Sequence, residues 1–169
     1  MNREAMHEIR RHQLAAPVET VSLANSLGLM VYKTSFGGND DISGMIRQEG
    51  DEHVIYVNMN HHVNRRRFTI AHEIAHFILH KDEIGDGIVD DALYRSGLSS
   101  KFEAEANSLA ADILMPWHLL ADDEISGISI AHLADKYQVS AAAMAIRLNI
   151  PVAAADVSAP APEPVVANG

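Results

Sequence analysis

The sequence predicts an α+β protein: a small three-stranded antiparallel sheet packed on a helical bundle around one central helix. Three observations carry this. Between Leu29 and Asn58, three runs rich in strand-forming residues are separated by clusters of Gly, Asn and Asp. From Phe68 onward, apolar residues recur with helical spacing, in segments punctuated by Gly, Pro and Ser. The stretch from Phe68 to His80 is apolar over so much of its surface that, wound as a helix, it must be buried on most sides.

Asn2 to Gln13 reads as a polar helix with Met6, Ile9 and Leu14 on its apolar side. Pro17 is placed to open a second helix over Val18 to Leu27, with Val21, Ala24 and Leu27 inward and Gly28 as its left-handed stop. Leu29 to Phe36 alternates as a strand should, and the glycines and acids from Gly37 to Asp41 form a turn. Ile42 to Gln48 and His53 to Asn58 are the next two strands, joined at Glu49-Gly50-Asp51. Asp82 to Leu98 is glycine-rich, acidic and without periodicity, which predicts a loop. Ser100 and Glu103 then have the spacing of a capping box. The helix they open runs to Met115 with Phe102, Ala106, Leu109, Ala110 and Ile113 as its core stripe. Pro116 stops it and can begin another through Trp117, Leu119 and Leu120. Two short helices follow, Ser129 to Lys136 and Ser140 to Leu148, with a tight turn between them. The expected division is a main domain over 1–125, the two short helices within 126–150 packed on it, and a disordered Ala/Pro-rich tail over 151–169.

A chain of 169 residues, 47% hydrophobic and 21% charged, has the composition of a soluble globular domain with a genuine core. It contains no cysteine, so a bound metal has only His and carboxylate to hold it. A net charge of −10 argues against direct nucleic-acid binding and against an anionic membrane surface, both of which call for a basic face. No run reaches the roughly 18–20 apolar residues of a membrane span, and the first residues lack the apolar core of a signal peptide. The expected compartment is the cytoplasm.

On the central helix the polar residues Thr69, His72, Glu73, His76 and His80 crowd into an arc of roughly 100°. Burying ionisable groups costs several kcal/mol unless something satisfies them, and a metal ion would. His72 and His76 lie one turn apart, about 6 Å along the axis, so both imidazoles can reach one ion, with Glu73 beside them. This is His-Glu-x-x-His, a metalloprotease signature in which the histidines bind zinc and the glutamate is the general base. The competing reading is a pair of hydrogen-bonded core histidines; the narrowness of the polar arc favours the metal. His80 could be a third ligand by spacing, but His is favoured at a helix C-terminus in any case. His61 and His62 read as surface residues. Arg65 to Arg67 read as a solvated or carboxylate-paired helix start, with at least one acidic partner expected against the helix dipole.

A catalytic zinc usually takes three protein ligands and leaves a position for water. Glu103 and Glu105 can each complete the set, since they flank the apolar stripe of their helix at nearly equal angles. Capping offers Glu103 another task and leaves Glu105 freer, and both could simply complement the helix dipole.

His72-Glu-Ile-Ala-His76, preceded by Arg67-Phe-Thr-Ile-Ala and followed by Glu103-Ala-Glu-Ala-Asn-Ser-Leu-Ala-Ala-Asp-Ile-Leu-Met-Pro116, resembles the ImmA/IrrE family of zinc metallopeptidases. The likeness covers roughly Leu29 to Ile150. It implies that the Glu of the Glu-Ala-Asn unit, Glu105, is the third ligand of one Zn²⁺ ion, with His72 and His76. Leu109 stands where the family usually has Phe, a packing difference away from the ligands. Ile130 to Leu148 resembles the family's helix-turn-helix-like C-terminal segment.

The resemblance further implies a zinc endopeptidase that cleaves a helix-turn-helix transcriptional repressor and releases stress-response or mobile-element genes. In that chemistry Glu73 takes the proton of an attacking water and delivers it to the leaving amine. Tyr94, Arg95 and His118 are candidates for a second electrophile, and the strand His53 to Asn58 is a candidate edge for an extended peptide. The alternative is a non-cleaving toxin–antitoxin or regulatory component that binds such a partner. Direct DNA binding through Ser129 to Leu148 is disfavoured, because Lys136 and Arg147 are its only cations.

Overall fold

In the computed structural model the strand-forming runs build a mixed sheet of four strands in the order β1-β3-β2-β4. The structure describes residues 3–84, 88–91, 100–125 and 128–151, with no side-chain environment for 83, 88–91, 100, 124 and 125. The strands are β1 (Leu29–Thr34), β2 (Ile42–Glu49), β3 (Glu52–Asn58) and β4 (Ile88–Asp91). β2 and β3 make the expected antiparallel hairpin, turning where Gly50 adopts a φ of 61° that a side chain would resist. β1, however, runs parallel to β3, pairing Leu29 with His53 through Thr34 with Asn58.

The all-antiparallel, three-stranded expectation is therefore corrected in two respects. β3 is an almost continuous apolar run, with Val54, Ile55, Val57 and Asn58 buried, and such a run belongs in the middle of a sheet. β1 leaves Met30 and Tyr32 exposed and suits an edge. With β3 between β1 and β2, β1 pairs with β3, and it does so in parallel. β4 pairs antiparallel with β2 and falls inside the stretch expected to be loop; four residues are too few to display alternation. Flanked on both sides, β3 also has no open edge for a peptide, which removes it as a substrate-pairing strand.

The central helix, α3 (Val63–Leu79), lies on β2 and β3 and packs on its other side against α4 (Ser100–Leu114). One small residue permits the close approach to the sheet. A Cβ placed on Gly44 of β2 would collide with the side chain of Thr69 and lie 2.7 Å from the Tyr56 carbonyl oxygen. The backbone contact cannot relax without moving the hairpin. Gly44→Ala should therefore destabilise the fold by about 1–3 kcal/mol, the usual cost of overpacking, measured as a lowered urea midpoint at unchanged slope.

At its entry α3 is capped by the His62 side chain, which accepts from the Asn64 N–H. Among the described residues the hydrogen bonds of the three arginines after it go to neutral groups, and the acid that acts on one of them, Glu19 on Arg67, does so through its charge. Arg65 donates to Ser43 Oγ, Arg66 to the Met59 carbonyl and the buried Arg67 to the Val18 carbonyl. Burial holds the Arg67 guanidinium pKa below its ordinary value, partly offset by the charge of Glu19.

The amino-terminal helices α1 (Arg3–His12) and α2 (Thr20–Ser26) cover one end of this core through Ile9, Leu23 and Ala24. α2 starts after Pro17 rather than at it, and is turned so that Leu23 is buried and Val21 exposed. Leu14 lies beyond α1 and is exposed. After α4 come α5 (Trp117–Ile125), α6 (Ile130–Tyr137) and α7 (Ala141–Arg147). Ser129 and Ser140 cap α6 and α7 through their hydroxyls, and Gln138 ends α6 in the left-handed conformation. Leu133, Tyr137, Val139 and Met144 join the same core as Ile74 and Ile113. Of the stretch 151–169 read as a disordered tail, all but Pro151 lies outside the described residues.

Candidate metal centre

The polar arc of α3 faces α4. His72, Glu73 and His76 are all buried, and the two imidazoles point Nε2 at a common spot, 3.0 Å from each other. The carboxylate that meets them comes from Glu103: one oxygen lies 3.5 Å from His72 Nε2 and the other 3.5 Å from His76 Nε2. Among the described residues, His72, His76 and Glu103 are the group whose ligand atoms lie within 4.8 Å of one another. A tetrahedral zinc with bonds of about 2.0–2.1 Å separates its ligand atoms by roughly 3.3 Å, close to the 3.0 Å between the two Nε2 atoms and the 3.5 Å from each of them to its nearer Glu103 oxygen. The donor set fits a zinc ion.

Hydrogen bonds on the far side of each ring support the same use. A nitrogen offered to a metal carries no proton, so the other ring nitrogen must donate. His72 Nδ1 lies 3.0 Å from Asn107 Oδ1, which can only accept if His72 is the Nδ1–H tautomer with Nε2 bare. His76 is held neutral: its pKa is pushed down to about 4, first by burial and then by the charge of His72, against the pull of Glu103.

That shift sets a pH dependence for the metal-free protein. An unfolded chain takes up the His76 proton near the ordinary 6.5, whereas the folded one does so only near 4. Stability from this group is thus complete above about 6.5 and is lost as pH falls toward 4. Urea midpoints of the metal-free protein should be lower at pH 5 than at pH 7.5, and the difference should shrink in His76→Gln.

The structure does not bring Glu105, the ligand implied by resemblance, to the two imidazoles. Two residues along a helix are about 200° apart around its axis, so Glu103 and Glu105 cannot both face inward. Glu105 Oε2 instead lies 3.1 Å from His80 Nε2, and that bond is the chief reason its carboxyl pKa is lowered. α4 begins at Ser100, and the Ser100 side chain and the residue before it lie outside the described residues, so what decides between the two glutamates is that Glu103 is the one that meets the imidazoles. Asn107 was not anticipated, although its spacing shows it: four residues after Glu103, it shares that residue's face of α4.

His118, a candidate electrophile, bonds through Nε2 to the Gln13 carbonyl. Tyr94 and Arg95 lie outside the described residues. His62 is exposed, as its reading as a surface residue expects, whereas His61 is half-buried and meets the Asp40 carbonyl through Nε2.

A His-Glu-x-x-His helix facing a carboxylate and an amide one turn apart on a second helix defines a metallopeptidase-type centre. Residues 24–149, well over half of the chain, match the peptidase M78 family, the IrrE N-terminal-like domain. The chain belongs to that family. It is 36% identical over 95 residues to the radiation response metalloprotease IrrE of Deinococcus radiodurans, covering 54% of this chain and 29% of that protein. The IrrE of Deinococcus deserti is 35% identical over 96 residues, covering 54% and 34%. The aligned part thus spans about a third of these relatives. In fold it resembles a Mycobacterium tuberculosis transcriptional regulator, with a TM-score of 0.56 at 18% identity, over 86% of this chain and 46% of that one. No helix among the described residues is long and apolar enough to cross a membrane.

Proposed function

We propose that this chain is a zinc-dependent endopeptidase whose ligands are His72, His76 and Glu103 and whose general base is Glu73. The observation that carries the reading is the convergence of three ligand atoms from α3 and α4 beside a buried carboxylate on α3. Bound zinc would polarise a scissile carbonyl and lower the pKa of water toward about 7. His72 and His76 present their bare Nε2 atoms, their tautomers fixed by the partners of Nδ1. Glu103 contributes the negative charge that partly neutralises the cation. Glu73 takes a proton from the attacking water and returns it to the leaving nitrogen. The enclosed setting of α3 keeps these charges out of bulk water, where they would be screened.

For the substrate we infer a protein, specifically a helix-turn-helix transcriptional repressor, as the resemblance of the His-Glu-x-x-His and Glu-Ala-Asn motifs implies. The IrrE relatives bear the name metalloprotease, which favours cleavage over mere binding. Direct nucleic-acid contact by α6 and α7 is disfavoured because both cations there are engaged. Lys136 pairs with Asp123 at 2.5 Å and Arg147 with Asp112 at 2.6 Å. The test is incubation of the zinc-loaded protein with a helix-turn-helix regulator encoded beside it. Discrete fragments that vanish on chelation support the peptidase. An intact regulator in a stable complex would favour the binding role and overturn this reading.

A further inference from the structure

The side chains behind His76 form a chain of their own. His76 Nδ1 lies 3.2 Å from His80 Nδ1, and His80 Nε2 lies 3.1 Å from Glu105 Oε2. His80 is buried, closes α3 at its C-cap and donates its backbone N–H to the His76 carbonyl. Its ring stacks on Phe102 of α4 with centroids 4.5 Å apart. Lys101 lies 3.7 Å from the other Glu105 oxygen.

We propose that His80 and Glu105 are positioning residues, an outer carboxylate–imidazole relay that fixes the tautomer and ring orientation of the metal ligand His76. This rests on the metal-centre reading above. Proton counting makes the relay directional. His76 must keep Nε2 bare, so its Nδ1–H donates. His80 must then accept at Nδ1, which leaves the His80 proton on Nε2, where the Glu105 carboxylate accepts it. Each imidazole is neutral and each proton has one acceptor. The His-His-carboxylate order gives the glutamate of the Glu-Ala-Asn unit a task two residues removed from the cation instead of on it. It also mirrors the Asn107 support behind His72, so that each ligand imidazole has an acceptor in line with its Nδ1.

The readout is Zn²⁺ affinity of the full chain, by competition with a chromophoric chelator. His80→Phe keeps the stack on Phe102 but removes the acceptor, and should weaken zinc binding about 10–100-fold. His80→Asn, which restores an acceptor at the δ position, should recover most of that loss, a rescue that a purely space-filling role would not give. Glu105→Gln, at a side chain 43% exposed, should weaken binding toward the lower end of that range. In the zinc-loaded protein, ¹⁵N shifts should show His76 protonated at Nδ1. Wild-type affinity in both His80→Phe and Glu105→Gln, or a His76 with Nδ1 bare, would overturn the proposal. Should His80→Phe fail to fold, Glu105→Gln alone decides. A wild-type chain that takes up no zinc sinks the metal-centre reading itself, and is told apart by the parent titration.

Discussion

Glu73→Gln is expected to lower the turnover of a cleavable protein substrate by at least about 10²–10⁴-fold while leaving zinc content at the wild-type level. The substitution is close to isosteric, so the packing of α3 between sheet and α4 is kept. What goes is the one group on that face of α3 that can hold a proton between the attacking water and the leaving nitrogen. Rate measurements beside metal analysis of the same preparation check both halves. Retained turnover would remove Glu73 as the base. Lost zinc would make it a ligand or a structural residue instead.

The second large effect separates the two glutamates of α4. Glu103→Ala should leave the purified protein essentially without zinc, because it deletes the carboxylate 3.5 Å from both Nε2 atoms. Glu105→Ala should retain zinc, with affinity reduced by no more than the roughly 10–100-fold expected of a residue behind the ligands. Metal analysis and chelator competition on the two variants give a clear contrast. If the zinc-free variant is Glu105→Ala, the ligand implied by resemblance holds and α4 is rotated in solution relative to the geometry described above.

Much of this was legible from residue order because it depends on local patterns. The Phe68–His80 stretch declared a buried helix with one polar arc, and its histidines do share a point in space. The α4 stripe of Ala106, Leu109, Ala110 and Ile113 is buried as its spacing predicts, and Ser129 and Ser140 cap as serines before short helices do. What failed depends on distant partners or on small rotations. Strand order is decided by which run can be covered on both sides, a property of the whole sheet that no single strand shows. In α2 Ala24 is buried and Leu27 packs on the core as its spacing predicts, but Leu23 rather than Val21 completes the inward face, since in seven residues one position turns the apolar side by about 100°. Glu103 and Glu105 were equivalent by angle from the apolar stripe. Only Asn107, one turn beyond Glu103, breaks that symmetry.

α3 supplies two of the three metal-facing groups, and the third arrives on a helix that begins beyond a long connecting segment. A cation bound there cross-links two stretches of polypeptide that the unfolded chain leaves far apart. Its binding energy is then also folding energy: free zinc at a hundred times the dissociation constant adds about 2.7 kcal/mol to stability. The lifetime of the molecule in a cell would accordingly track the supply of this nutrient. On the proposed reading, a metal-free pool would open more often under zinc starvation and would be the first to be degraded, so the quantity of the protein, and not only its activity, would answer to metal availability.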